Sequence, residues 1–435
     1  MIIHPPDTHQ QDGHILVWSK IELDQARNGI PEYLWYRLPE RYAHFVSMQS
    51  DAFLIPALLV GMQFGEDIDV CGPVSPRLAY HLEEYQTLLH LRMPEDVNPV
   101  NIRYDDLSPG DLTPKSVGAT FSGGADSLFT LWKHLPQNQS NPDYQITHTI
   151  FIHGFDIPNR DKVSFKFLFD RYESQLRNIG IELIPIETNL VSLIIPRLEY
   201  RYFYGPVLAG CAHILGGLFR RFYIPSSRSY DQLLLRESSS SASTDYLLST
   251  DSMEIIHHGA TYQRVAKIQE IADWEFGWHN LRVCHHAEFD NNLLNCSRCE
   301  KCVRTMIPLF AIDKLDQFRT FRNYFKEDRD VLIFARKFNP TTGYNPELMQ
   351  FAREHKPNLV IWLRMANWLG YIRFRMIRLI PEWIKQRLQR FGYFVSPFRE
   401  EYAFDDLDII QTIRTNQTLY PRVNKLPATT RVRDH

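Results

Sequence analysis

The chain has 435 residues, too many for one ordinary core, which sets an expectation of two or three domains. Hydrophobic residues at 44% and charged residues at 23% exclude a disordered or fibrous chain. The formal net charge of -3 excludes a global attraction to nucleic acid, so any polyanion site has to be regional.

The first residues, MIIHPPDTHQ, hold no basic segment followed by an apolar one. The longest apolar stretch, AFLIPALLVGM, is too short for a membrane span and contains Pro56, so a cytoplasmic protein without a transmembrane segment is expected. HILVWSKI and YLWYRL read as strands, and SPRLAYHLEEYQTLLHLRM reads as a helix capped by Ser75 with Pro76 in its first turn. Together they suggest an α+β accessory domain over residues 1–113, ending in the Pro- and Gly-containing linker DDLSPGDLTPKS.

From VGATF onward, strand and helix signals alternate through DSLFTLWKHL, HTIFIHGF, KFLFDRYESQLRNIG, IELIPIET, the helical GPVLAGCAHILGGLFRRF and the strand RFYIPSS. Such alternation predicts crossovers and a mainly parallel sheet with helices on both faces, an α/β domain over residues 114–314. The serine-rich ESSSSASTDY reads as a flexible surface loop, because its side chains offer a core nothing apolar. EKCVRTMIPLFAI, LDQFRTFRNYF and the segment from Asn358 to Phe391 read as helices, which makes 315–435 a helical region. The last of these carries Arg364, Arg373, Arg375, Arg378, Lys385, Arg387 and Arg390 against the single acid Glu382, with Trp362, Trp368 and Trp383 between them. It is either a solvated helix face or a contact surface for RNA, a membrane or a protein partner.

The stretch TFSGGADSLFTL sets two glycines, two serines and an aspartate between an apolar strand and an amphipathic helix. Backbone N–H groups from Ser122 to Ser127 can face one point at the positive end of the helix dipole, an arrangement that binds phosphate. A Cβ at Gly123 or Gly124 would hold an anion off the backbone, and the Ser122 and Ser127 hydroxyls can donate to it. Asp126 would repel a phosphate unless a cation lies between, so it points to Mg²⁺. No Gly-Lys-Ser/Thr follows, which argues against a γ-phosphate-transferring P-loop. The bland alternative is an ordinary strand-to-helix turn with a serine cap.

Of the six cysteines, Cys71 and Cys211 stand alone and read as core, while Cys284, Cys296, Cys299 and Cys302 cluster. Two-residue gaps let thiolates of one tight turn converge on an ion, and Cys284 can complete a tetrahedron. The reading is a structural Zn²⁺ knuckle, with an iron–sulfur site or unligated thiols as alternatives and His285 or His286 as substitute ligands.

Residues Ser122, Gly123, Gly124, Ala125, Asp126 and Ser127 resemble the Ser-Gly-Gly-x-Asp-Ser signature of the N-type ATP pyrophosphatases. That group includes asparagine and NAD synthetases and tRNA-thiolating enzymes. With the cysteine spacing, residues 116–312 are similar to the 7-cyano-7-deazaguanine synthases of the queuosine pathway. The resemblance implies a Rossmann-like sheet of the adenine nucleotide alpha hydrolase kind and a loop that binds the β/γ-pyrophosphate of ATP as leaving group. It further implies adenylation of a carboxylate, with transfer of the acyl group to ammonia or an amine. Enlarged proteins of this kind sometimes belong to antiviral operons.

By the same resemblance Lys267, with Arg264 second, would neutralise the departing pyrophosphate; by itself the segment also reads as an exposed helix face. HGFDIP leaves the second strand of the α/β unit at its C-terminal end, where open sheets bind ligands. This makes His153 and Gly154 candidates for the adenine edge and Asp156 for ribose or metal. His257 and His258 read equally as polar loop residues. Tyr204 and Gly205 start a helix beside that edge and are candidates to contact the acceptor. No glutaminase signature is present, so the nitrogen would come from outside. Two rival readings are a tRNA-modifying thiolase and an ATP-sensing protein that binds partners through its outer regions without turnover.

Overall fold

The computed structural model describes residues 1–25, 27, 29–110, 113–194, 203–235, 240–284, 293–336, 345–379 and 407–417. Eleven strands form one sheet: β1 (Ile2–Ile3), β2 (Asp7–Gln11), β3 (His14–Glu22), β4 (Tyr33–Pro39), β5 (Ile68–Val74), β6 (Ile102–Leu107), β7 (Ser116–Thr120), β8 (His148–His153), β9 (Glu182–Thr188), β10 (Phe219–Pro225) and β11 (Glu254–His258). Their order is β11-β10-β7-β8-β9-β4-β3-β1-β5-β6, with β2 against β3. All pairings from β11 to β9 are parallel, and β4 joins β9 antiparallel.

The protein is therefore α/β with a mostly parallel sheet. Along the central strands successive residues face opposite layers. Ile150, Ile152, Ile184, Ile186, Phe222 and Ile224 enter one buried cluster, while Phe151, Leu183 and Tyr223 enter the other. Period-two alternation with both faces apolar is what a sheet covered on both sides requires.

The first layer contains α1 (Asp51–Phe64), α2 (Pro76–Arg92), α5 (Leu190–Ile194) and α6 (Tyr204–His213). The apolar stretch around Pro56 is α1, buried throughout Asp51–Met62 and packed on α6. Close approach there needs Gly210, where a Cβ would collide with Tyr36 Oη and the Ala52 carbonyl. At the head of α2, Ser75 Oγ accepts from the Leu78 amide at 3.2 Å, with Pro76 opening the helix as the sequence suggests. On the other face lie α3 (Ala125–Lys133), α4 (Lys162–Asn178), α8 (Arg264–Glu270), α10 (Glu300–Ala311), α11 (Asn345–His355) and α12 (Leu359–Arg378). Short helices α7 (Tyr230–Leu235) and α9 (Glu275–Asn280) join segments, and α13 (Leu407–Asn416) returns to β3 and β4 through buried Ile413.

The boundary proposed at residues 113/114 falls between β6 and β7, and the sheet runs across it. At the join, Thr188 Oγ1 donates to the Trp35 carbonyl at 2.7 Å. Asn189 exchanges hydrogen bonds with Trp35 N and the Tyr33 carbonyl. Each such bond contributes about 1 kcal/mol, and leaving a partner unpaired in so buried a place costs more.

Three expectations change. The helix foreseen over GPVLAGCAHILGGLFRRF stops at His213, and Phe219–Phe222 belong to β10. The chain turns at Gly216 and Gly217, where a Cβ on Gly217 would press on the Phe45 backbone. LDQFRTFRNYF keeps only the 3-10 turn Leu315–Gln317. Its later backbone groups bond tertiary partners instead of forming i−4 bonds: Arg319 N to Trp278 O, Arg322 N to Ser297 Oγ, and Thr320 O from Leu294 N. The described part of the serine segment, 240–246, is packed rather than a surface loop: Ser240, Thr244 and Asp245 are buried. Its polar atoms satisfy one another, with Ser240 Oγ on Asp245 Oδ2 at 2.8 Å and His257 Nδ1 on the same oxygen at 2.8 Å. His257 and His258 end β11. Residues 237–239, 285–286 and 380–391 lie outside the described residues.

Buried histidines give the fold a pH dependence. Burial lowers the His213 pKa to about 4 and that of His258 to about 2. Both stay neutral in the folded chain while the unfolded chain protonates near 6.5. Stability is therefore complete above the unfolded pKa and falls as pH drops below it, by up to about 1.4 kcal/mol per pH unit for each group. Buried Asp51, whose carboxyl is raised to about 7, works in the opposite sense below pH 7, so urea midpoints should be level above about pH 7 and decline toward pH 5 by the excess of the histidines over it. A level profile down to pH 5 would refute this account.

Candidate functional site

The sheet reverses its winding at β7: β8 and β9 lie on one side of it, β10 and β11 on the other. In open α/β sheets ligands bind outside the C-terminal strand ends at such a switch point. The turn Phe121–Gly124 leaves β7 there and opens α3, with Gly124 as its N-cap residue. Gly123 has φ +74°, and a Cβ on it would overlap Tyr172 Oη, so the position excludes side chains on two grounds. Ser127 Oγ donates to the Gly124 carbonyl at 3.0 Å, and Ser122 Oγ accepts from Gly124 N at 3.3 Å. As first residues of α3, Ala125, Asp126 and Ser127 have N–H groups without intrahelical acceptors.

Asp126 projects from this turn into two cations. Arg264 Nη1 lies 2.9 Å from one carboxylate oxygen and Lys267 Nζ lies 3.1 Å from the other. Lys267 also donates to the Ser226 carbonyl just beyond β10, and it is 1% exposed. Burial by itself would raise the Asp126 pKa, but the Lys267 and Arg264 charges override it and hold the carboxyl below its ordinary range.

A cavity of about 190 Å³ opens beside the turn. Its lining includes Ser122, Asp126 and Ser127 of the turn, the β8 residues Ile150–Ile152, then Phe155 and Asp156, together with Tyr204, Ser227 and Arg282. An apolar slot with a few convergent polar groups is the usual form of a small-molecule site. Asp156 and Tyr204 thus reach the cavity, as do the loop residues. The His153 side chain is not among the lining: it stacks on Phe165 and bonds the Pro158 carbonyl, while Gly154, at φ +97°, turns the chain out of β8.

Several basic groups escaped sequence reasoning. Arg282 lines the cavity, and its backbone N donates to the Gly123 carbonyl at 2.7 Å. Burial lowers the Lys301 pKa; Asp156 opposes this and the Arg264 and Arg304 charges reinforce it. Glu347, from α11, accepts from Val265 N at 2.5 Å and so fastens the first turn of α8 from outside the α/β core. No local motif marks these residues, since each arrives from a distant segment.

The four cysteines converge as expected. Their sulfurs all lie within 4.8 Å of one another, with Cys299–Cys302 at 3.4 Å and Cys296–Cys302 and Cys284–Cys299 at 3.8 Å. Four thiolates around Zn²⁺ sit about 3.8 Å apart, whereas a disulfide needs about 2.05 Å, so the set fits a closed four-sulfur metal centre. Cys299 is the N-cap residue of α10, where the helix dipole favours a thiolate. Asn295 connects centre and turn: its Oδ1 accepts from Val283 N and Cys284 N, and its Nδ2 donates to Leu281 O.

Metal in the purified chain should approach one zinc per chain by elemental analysis, and Cys299→Ser should lower both occupancy and melting temperature, because a structural metal contributes folding free energy. Unchanged melting with the metal removed would refute a structural role. Asn295→Ala should cost on the order of 2–3 kcal/mol in urea unfolding, since it strips partners from buried backbone groups. No family profile, curated protein or solved structure matches the chain.

Proposed function

We propose that the chain is an ATP-dependent ligase that adenylates a carboxylate and passes the acyl group to ammonia or an amine, in the manner of the 7-cyano-7-deazaguanine synthases it resembles. The observation that carries the reading is the meeting of the Ser122–Ser127 turn with Lys267 and Arg264 at the switch point of a parallel sheet. Backbone N–H groups at a helix start, paired cations and an adjoining largely apolar cavity are the parts needed to hold a nucleoside triphosphate.

In this reading the pyrophosphate sits over the N-terminus of α3, against the N–H groups of Ala125–Ser127 and the Ser122 and Ser127 hydroxyls. The purine and ribose occupy the slot beside Ile150–Ile152 and Asp156. A carboxylate oxygen attacks the α-phosphorus, a new O–P bond forms as the bond to the β-phosphate oxygen breaks, and pyrophosphate leaves. Lys267 and Arg264, held by Asp126 at rest, neutralise the negative charge gathering on the departing group. The nitrogen nucleophile then attacks the acyl carbon and AMP departs. The Asp126 carboxylate retains lone pairs beyond those used by its two cations, which fits one protein ligand of Mg²⁺. Bound there with the phosphates, that ion would offset their charge.

The test is ATP–pyrophosphate exchange with Mg²⁺, offering 7-carboxy-7-deazaguanine beside a panel of other carboxylates. Exchange should depend on one of these acids, and Lys267→Ala should lower it by roughly a hundredfold or more. Asp126→Ala should abolish it and also lower the melting temperature, because it leaves the buried Lys267 ammonium without its carboxylate. ATP binding without exchange for any acid would favour a nucleotide sensor, and undiminished exchange in Lys267→Ala would remove that residue from the mechanism.

A further inference from the structure

Helix α12 buries one edge and exposes the opposite one. Leu359, Leu363 and Ala366 are buried against α11 and the 3-10 segment Asp328–Arg336. On the far side Ile361, Met365, Trp368, Ile372 and Met376, followed by Leu379 just past the helix, recur every three or four residues and are exposed, Ile361 at 65%, Trp368 at 62% and Met376 at 63%. That spacing draws one apolar stripe about 27 Å long down the solvent side. Soluble chains rarely leave so continuous a stripe uncovered.

Its flanks are basic. Residues 359–379 contain no acid, and exposed Arg364 and Arg375 border the stripe, the latter with its guanidinium 5.2 Å from the centre of the Tyr371 ring. We infer that this face lies on an anionic phospholipid surface, its stripe among the upper acyl chains and its arginines among headgroup phosphates. Aliphatic side chains, interfacial Trp and Tyr, and snorkelling arginines are the composition such a helix needs. The remainder of a chain of net charge -3 is repelled by an anionic bilayer, so attraction concentrates on this face and orients it.

Other occupants fit less well. A second copy would set arginine against arginine. Single-stranded RNA stacks on rings and would leave Ile361, Met365 and Ile372 without a role. No helix among the described residues is long and apolar enough to cross a membrane.

The experiment is co-sedimentation of the full chain with vesicles of phosphatidylcholine alone and of two parts phosphatidylcholine to one part phosphatidylglycerol. Binding should be at least about tenfold stronger to the anionic vesicles and should weaken with salt. The exposed-site variant Trp368→Glu/Ile372→Glu should lose about tenfold or more, and Arg364→Glu/Arg375→Glu should lose the preference for anionic lipid. Both should melt as the parent does. Failure to sediment with either vesicle, or undiminished binding by Trp368→Glu/Ile372→Glu, overturns the inference. A dimer in light scattering that this variant abolishes would assign the face to a second copy. Retardation of single-stranded RNA, lost in the arginine variant without any lipid binding, would assign it to nucleic acid.

Discussion

The ionic node of Asp126 with Lys267 and Arg264 is the constraint around which the site is arranged. An ammonium that is 1% exposed is costly unless compensated, and its partners come from two strand ends: Asp126 after β7 and the Ser226 carbonyl after β10. Because those strands are neighbours at the switch point, one lysine ties together the two lips of the crevice. The carboxylate that compensates it also begins α3, so the turn cannot shift without uncovering buried charge.

A second set of ties steadies the turn from the opposite side. Arg282 N holds the Gly123 carbonyl, Asn295 holds the backbone on both sides of Arg282, and Asn295 adjoins Cys296 of the four-sulfur centre. The cysteine cluster thus does more than close a loop remote from the crevice. The Asn295 side chain bonds Leu281 O and Val283 N while Arg282 N bonds the Gly123 carbonyl, so one hydrogen-bonded segment joins the knuckle to the glycine turn, and α10 leads on from the knuckle with Arg304 buried in it.

The outer regions are joined to this core rather than appended to it. β4 extends the sheet from β9, and the α6 residues that line the cavity pack on α1 of the N-terminal region. From the other end of the chain, Glu347 fastens the helix that bears Arg264 and Lys267.

The sequence by itself determined what depends on neighbours a few residues apart. Ser75 and Pro76 start α2, strand and helix periods alternate from residue 117 onward, SGGADS forms a strand-to-helix turn, and Cys296, Cys299 and Cys302 converge across the start of α10. Tertiary structure decided whatever depends on where distant segments meet. It ended α6 at His213 because Gly217 must pass close to Phe45, and it withheld a helix from Phe318–Phe325 because the backbone found partners near the knuckle. It buried Ser240 and Asp245, polar residues that only His257, from the next strand, could make acceptable to an interior. It also brought Arg282 to the crevice. Local propensity acts over one turn of helix or one strand pair, whereas burial and charge compensation are settled only when the whole sheet has closed around them.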